Sequence, residues 1–163
     1  MVLCLPTMSR KAEPARSYGE TISLNGFRFT EQRRQVYDAL MGNPDHPTAV
    51  EVFMRVKTKM ASISLATVYN CLETLTECGL VRLVNHHREP SRYCPNLEDH
   101  AHLFCEGCGS VHDLPMRQNR PASEIWDLPS DVVVSHHEVS FRGLCPKCAA
   151  AAKLKSKTEN LNS

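Results

Sequence analysis

Apolar positions in the first half of the chain recur at helical spacing. Thr30 can cap a helix through "TEQRRQVYDALMGN", with Val36, Leu40 and Met41 on one face and Gly42-Asn43-Pro44 as its stop. "TAVE" at 48–51 has the capping-box pattern, Thr48 as N-cap and Glu51 reaching back. The helix it opens carries Val52, Phe53, Val56 and Met60. A third helix begins at Ser64 in "SLATVYNCLETLTECGL", with Leu65, Val68, Leu72 and Leu75 on one stripe and Gly79 at the position that ends it. The period then shortens. Leu80–Val84 and Arg92–Cys94 read as two short strands around the polar turn "NHHREP". Three helices and a ribbon form the pattern of a winged helix-turn-helix, whose last helix would enter the DNA major groove. A small helical bundle with a hairpin and no nucleic-acid role fits the same pattern.

The second half is β-rich. "HLFCEG" and "SVHDLP" predict a hairpin, and "DVVVSHHEVSFRG" a longer strand. "RPASEIWDLP" is expected as a helix between them, and "CPKCAAAAKLK" opens a terminal helix before a polar tail. The fold class is therefore α+β. No linker composition marks the junction near residue 94, so the two halves are expected to be closely coupled.

Length and composition narrow the picture. At 163 residues, a half of the chain has a thin core and usually needs a staple. No apolar run approaches the roughly 20 residues of a membrane span, and the N-terminal stretch lacks the layout of a signal peptide. The expectation is a cytoplasmic protein with no membrane partner. In that reducing setting eight cysteines suggest metal binding more than disulfides. Residues 1–93 hold 12 basic against 9 acidic side chains, and residues 94–163 hold 7 against 9. A locally basic first half suits an anionic partner without identifying one.

The chemistry concentrates in "RYCPNLEDHAHLFCEGC", with three cysteines, two histidines and the carboxylates of Glu98, Asp99 and Glu106. Cys105 and Cys108 form one CxxC pair, and Cys145 and Cys148 another. Two such pairs complete a tetrahedron around a structural zinc with no open position. Redox chemistry is the competing reading of a single CxxC. Cys94, His100 and His102 remain, with both imidazoles on one face of a strand. They suggest a second, dissociable divalent metal that bridges the two halves and acts as a sensor. His46, His86, His87, Asp113 and the pair His136-His137 are further candidates, whereas His112 and one of that pair are read as surface histidines.

Over roughly residues 20–150 the sequence resembles the ferric-uptake-regulator family of metal-responsive repressors. "RFTEQRRQVYDAL", "HPTAVEVF", "SLATVYNCLETLTECGLV", "DHAHLFCEGCG" and "VSHHEVSFRGLC…C" match its landmarks in order and spacing. The resemblance implies a winged-helix DNA-binding domain over 18–93 and an α/β dimerisation and metal-binding domain over 94–155. Flexible tails are expected at 1–17 and 156–163. It also implies a homodimer that binds a palindromic double-stranded DNA operator when metallated. Many members hold a zinc on four thiolates. By the same resemblance the regulatory ligands fall on His46, His100, His102 and Asp113. Iron and peroxide regulators carry a carboxylate where this chain has Cys94, and a cysteine there resembles the zinc-uptake regulators. The alternative for Cys94 is an inert buried thiol. Some zinc regulators use an acidic residue at the start of the ribbon, where Leu80, Val81 and Arg82 stand; His86 or His87 is the substitute. A further family site uses an acidic residue where this chain has Ala101, although His137 matches its strand histidine. For DNA, the resemblance favours Tyr69, with Ser64, Thr67 and Asn70 beside it and Arg33 positioning a phosphate.

The expected function is a zinc-sensing repressor of metal-uptake genes. The regulatory metal is then a second Zn2+, with Fe2+ or Mn2+ as alternatives in an iron- or peroxide-sensing repressor of the same family. A zinc-dependent hydrolase is the rival from another class. It would need an open coordination position and a general base, and no catalytic motif is present near His100.

Overall fold

The computed structural model describes residues 17–43, 45–85, 89–116, 122–134 and 137–159. Each helix of the first half starts on a hydroxyl. Ser17 caps α1 (Tyr18–Leu24), Thr30 caps α2 (Glu31–Met41), Thr48 caps α3 (Ala49–Lys57) and Ser64 caps α4 (Leu65–Glu77). In each case the side-chain oxygen accepts from the backbone N–H three residues on, satisfying a donor the helix leaves open. Helix α1 adds to the three expected, so the described residues of the first half hold four helices. Ser17 and Glu20 form a full capping box, a signal that was present in the sequence. Helix α4 ends as expected. Gly79 takes a φ of 65°, its amide bonds Thr76 and the next amide bonds Leu75, both at 2.9 Å.

The core of this half collects Ile22, Val36, Leu40, Val52, Val56, Val68, Leu72 and Leu75. Met41 is not on it. At the last turn of α2 it points to solvent, 49% exposed. Helix α3 stops at Lys57, yet Met60 still packs against the core from the turn that follows.

Strands β1 (Arg82–Val84) and β2 (Arg92–Cys94) form an antiparallel ribbon, with β1 starting two residues later than the apolar run suggested. The ribbon is a shared wall. Tyr93 packs into the helical core, whereas Val84 and Cys94 join Phe104 and Val111 in a second cluster. Alternation of side chains along β2 sends consecutive residues into different cores. The close coupling expected at the junction therefore has a physical basis.

In the second half, β3 (His100–Cys105) lies between β4 (Val111–Pro115), antiparallel, and β5 (Ser140–Gly143), parallel. The predicted hairpin is present, but the predicted long strand is cut to its last four residues. Residues 132–134 pair with no strand among the described residues, and their side chains are exposed, Val133 at 93%. A β-branched apolar run marks a potential strand, but a ladder also needs a neighbour. The expected helix at "RPASEIWDLP" is a single turn, α5 (Ala122–Ile125). Helix α6 (Pro146–Glu159) closes the chain and runs into the segment expected as a frayed tail. No described helix is long and apolar enough to cross a membrane.

Leu72 is fully buried in the helical core, and its neighbour Glu73 faces solvent. Leu72→Ala is expected to lower stability by about 2–5 kcal/mol. Glu73→Ala should change it by less than about 0.5 kcal/mol. Denaturant titration of the two variants measures the difference.

Candidate metal centres

The two CxxC pairs meet at one end of the sheet. Cys105 ends β3, Cys108 follows a tight turn, Cys145 precedes α6 and Cys148 sits in its first turn. All four sulfurs lie within 4.8 Å of one another. The turn closes through the Gly109 amide, which bonds the Cys105 carbonyl at 2.8 Å with Gly109 at a φ of 68°. Gly107 is required for a different reason. A Cβ there would stand 2.9 Å from both Cβ and Sγ of Cys148 and 3.2 Å from Leu144, closer than carbon atoms pack.

The sulfurs are unequal. The Cys145 amide donates to Cys105 Sγ at 3.2 Å, the largest of several backbone contacts that bring the Cys105 thiol down to about 6. Cys148, facing Cys145, Cys105 and Cys108, is pushed up to about 12. Four sulfurs this close cannot all ionise unless a cation lies among them. An all-thiolate tetrahedral set fits Zn(II), and it leaves no position for water or substrate.

A second cluster gathers His46, Cys94, His100, His102 and Asp113, whose ligand atoms also lie within 4.8 Å of one another. Its ligands come from both halves of the chain: His46 from the loop before α3, Cys94 from the end of β2, His100 and His102 from β3 and Asp113 from β4. The period-2 alternation of β3 puts both imidazoles on one face, as expected. The Nε2 atoms of His46, His100 and His102 stand 2.7, 3.2 and 3.8 Å from Asp113 Oδ1, and Cys94 Sγ lies 3.5 Å from His100 Nε2.

Several features suit a cation here. His46 is 1% exposed, and among the described residues its Nδ1 has no hydrogen-bond partner, while its Nε2 comes within 2.7 Å of Asp113 Oδ1 without the alignment of a good hydrogen bond. The Nδ1–H of His100 donates to the Glu98 carbonyl at 2.6 Å, which turns the Nε2 lone pair inward. Asn96 Nδ2 donates to Asp113 Oδ2 at 2.8 Å and leaves Oδ1 facing the imidazoles. Burial, then the neighbouring His100 and His46, bring His102 down to about 4; burial lowers His46 as well, against the pull of Asp113. The Cys94 thiol is pushed up to about 11, chiefly by burial. Three imidazoles, one carboxylate and a thiol whose proton a metal can displace make a donor set for a divalent transition metal.

Other candidates sit elsewhere. His137 belongs to neither cluster among the described residues, and His86, His87 and His136 lie outside them. His112 bonds Ser110 Oγ at 2.8 Å, and that hydroxyl stands 3.0 Å from Cys108 Sγ. Of the three carboxylates in the opening run, Glu98 contributes only its backbone, Asp99 pairs with Arg82 and Glu106 with Arg142. The sequence reading missed Asn96 and the Glu98 carbonyl, which no residue-type pattern announces.

On α4, Tyr69 and Asn70 are exposed, so Tyr69 is not part of the core. Ser64 and Thr67 are engaged in the cap, their hydroxyls 2.8 Å apart. Arg33 lies over the Phe27 ring and donates to the Arg28 carbonyl, bracing the entry to α2.

Four helices and an antiparallel ribbon are thus joined to a three-stranded sheet, with two clusters of side chains that could hold metal ions. The chain belongs to the ferric uptake regulator family, whose sequence model matches residues 24–142. It is 32% identical over 123 residues to the peroxide-responsive repressor PerR of Staphylococcus epidermidis, spanning 76% of this chain and 82% of that protein. Its fold is similar to the Helicobacter pylori ferric uptake regulator Fur, with a TM-score of 0.66, 21% identity and coverage of 80% and 87%. It is also similar to a zinc-bound manganese uptake regulator, with a TM-score of 0.58, 27% identity and coverage of 77% and 96%. Members of the family are DNA-binding regulators that form dimers, which sets the hydrolase reading aside.

Gly107→Ala would force its new methyl against Cys148. Purified Gly107→Ala protein is expected to carry less zinc per chain than wild type by elemental analysis, with a lower thermal midpoint.

Proposed function

We propose that the protein is a dimeric repressor that binds a palindromic operator when its five-ligand centre holds zinc, and that it controls metal-uptake genes. The observation that carries this reading is the Cys94 thiol inside the ligand cluster, 3.5 Å from His100 Nε2 and 4.0 Å from Asp113 Oδ1. A thiolate among imidazoles favours Zn(II), whereas an all-oxygen and nitrogen set better accommodates Fe(II) or Mn(II). Cys105, Cys108, Cys145 and Cys148 would hold a separate structural zinc.

The division of labour follows the elements. Residues 18–93 form the DNA-binding domain, with Tyr69 and Asn70 on the exposed face of α4 for base or phosphate contact. Ser64 and Thr67 lie at its start, and Arg33 on α2 is the candidate for positioning a phosphate. Residues 94–155 form the dimerisation and metal-binding domain. In the regulatory centre His46 is, among the described residues, the ligand from the DNA-binding half. A bound divalent cation supplies the charge that holds imidazoles, thiolate and carboxylate together. His46 then fixes the winged domain against the sheet, and the two winged domains of a dimer take the spacing of two operator half-sites. Without that tie the domains sample more open arrangements. The ligand shifts the population only by its preference for the closed state.

A second reading, an iron- or peroxide-sensing repressor, is favoured by the identity to PerR and by the participation of His46 and Asp113. Fe(II) with peroxide would then add oxygen to a peptide containing His46 or His100, which mass spectrometry detects. A zinc-only sensor leaves those peptides unmodified.

His102→Ala is expected to abolish metal-dependent operator binding while circular dichroism and structural zinc content stay at wild-type values. In protein retaining only its tight zinc, Co(II) should give a sulfur-to-cobalt charge-transfer band that disappears in Cys94→Ser. Binding of Co(II) without that band in both proteins would exclude Cys94 and favour the iron or peroxide reading.

A further inference from the structure

Arg92 has no place in the ligand sets, yet its guanidinium meets three separate parts of the chain. Nη1 donates to the carbonyl of His46 at 3.0 Å, and Nη2 to the carbonyl of Gly109 at 3.1 Å. Nη1 also lies 3.7 Å from Glu51 Oε2, the carboxylate that closes the capping box of α3. One planar cation thus joins the loop that carries His46, the turn that carries Cys105 and Cys108, and the start of a helix.

His46 needs such support. Its φ of 53° lies in the left-handed region, where a residue with a Cβ is disfavoured. It also precedes Pro47, whose ring favours an extended residue before it. The flanking residues are fastened by other contacts. Asp45 is bonded by Arg55 Nη1 at 3.0 Å, the Pro47 carbonyl accepts from the Tyr93 amide at 3.0 Å, and Thr48 bridges to Arg92. The carbonyl of His46 itself is left to the guanidinium of Arg92.

We propose that Arg92 is a positioning residue of the five-ligand centre. It ties the main chain of His46 to Gly109 in the four-thiolate turn and holds the left-handed backbone from which the imidazole reaches Asp113. This rests on the reading of that cluster as a metal centre. The planar fork of arginine spans two carbonyls in a fixed geometry, which the single ammonium of lysine does not reproduce. The two metal centres are then mechanically joined: the turn folded by one set of cysteines is the anchor for a ligand of the other.

The test is Co(II) affinity, measured by chelator competition on protein that keeps its tight zinc, for Arg92→Ala, Arg92→Lys, His46→Ala and the double variant Arg92→Ala/His46→Ala. Arg92→Ala should bind Co(II) at least about tenfold more weakly, as loss of a supporting contact to a ligand typically does. It should retain the sulfur-to-cobalt band, which reports Cys94, and its full zinc content. Arg92→Lys should remain weaker than wild type. The double variant should bind no more weakly than His46→Ala, because Arg92 acts through His46. Wild-type affinity in Arg92→Ala, multiplied losses in the double variant, or loss of the band or the zinc would overturn the proposal. Unaltered Co(II) binding by His102→Ala would instead remove the metal-centre reading, and this proposal with it.

Discussion

Successive side chains of a β-strand point to opposite faces, and in this protein that constraint acts on a strand of three residues. Within Arg92–Cys94, Tyr93 enters the helical core, while Cys94 enters the small cluster with Val84, Phe104 and Val111. The Tyr93 amide also holds the Pro47 carbonyl beside His46. The winged half and the sheet half are thus built on one ribbon, and neither can shift without moving a ligand. A slip of one residue in that ribbon would exchange the two faces and dismantle both the core and the five-ligand cluster.

The chemistry of the two clusters differs in how much freedom it leaves. Four thiolates saturate a tetrahedral ion, and their turn is so tight that Gly107 has no room for a methyl group. The other cluster mixes three imidazoles, a thiol and a carboxylate, and draws them from both halves. Burial lowers His46 and His102 and pushes the Cys94 thiol up to about 11, so a metal bound through that sulfur must displace its proton. A saturated site suits permanence, and a mixed site assembled across a junction suits exchange.

Much of this was legible in the sequence because its signals are local. The CxxC pairs, the His-x-His on a strand, the Thr48–Glu51 box and the Gly79 stop each occupy a few consecutive residues. Family resemblance supplied His46 and Asp113, which are remote from each other in the chain and meet only after folding. The expected long strand is shorter because a β-branched apolar run at residues 132–134 says nothing about whether a partner lies alongside. Helix α1 was overlooked although Ser17 and Glu20 spell its start. Arg92 and Asn96 stayed silent for another reason. Arg92 acts on backbone carbonyls and Asn96 orients a carboxylate, and such contacts leave no trace in residue spacing.

The four-thiolate site also has a direction. Cys105 and Cys145 are buried, Cys148 is partly covered and Cys108 is exposed beneath the hydroxyl of Ser110. A chelator or thiol reagent arriving from solvent meets Cys108 first and reaches the inner pair only after that corner has opened. Release of an ion held there would therefore begin at one sulfur and its cover. Two proteins with identical ligands could hold zinc equally tightly at equilibrium and still surrender it at very different rates.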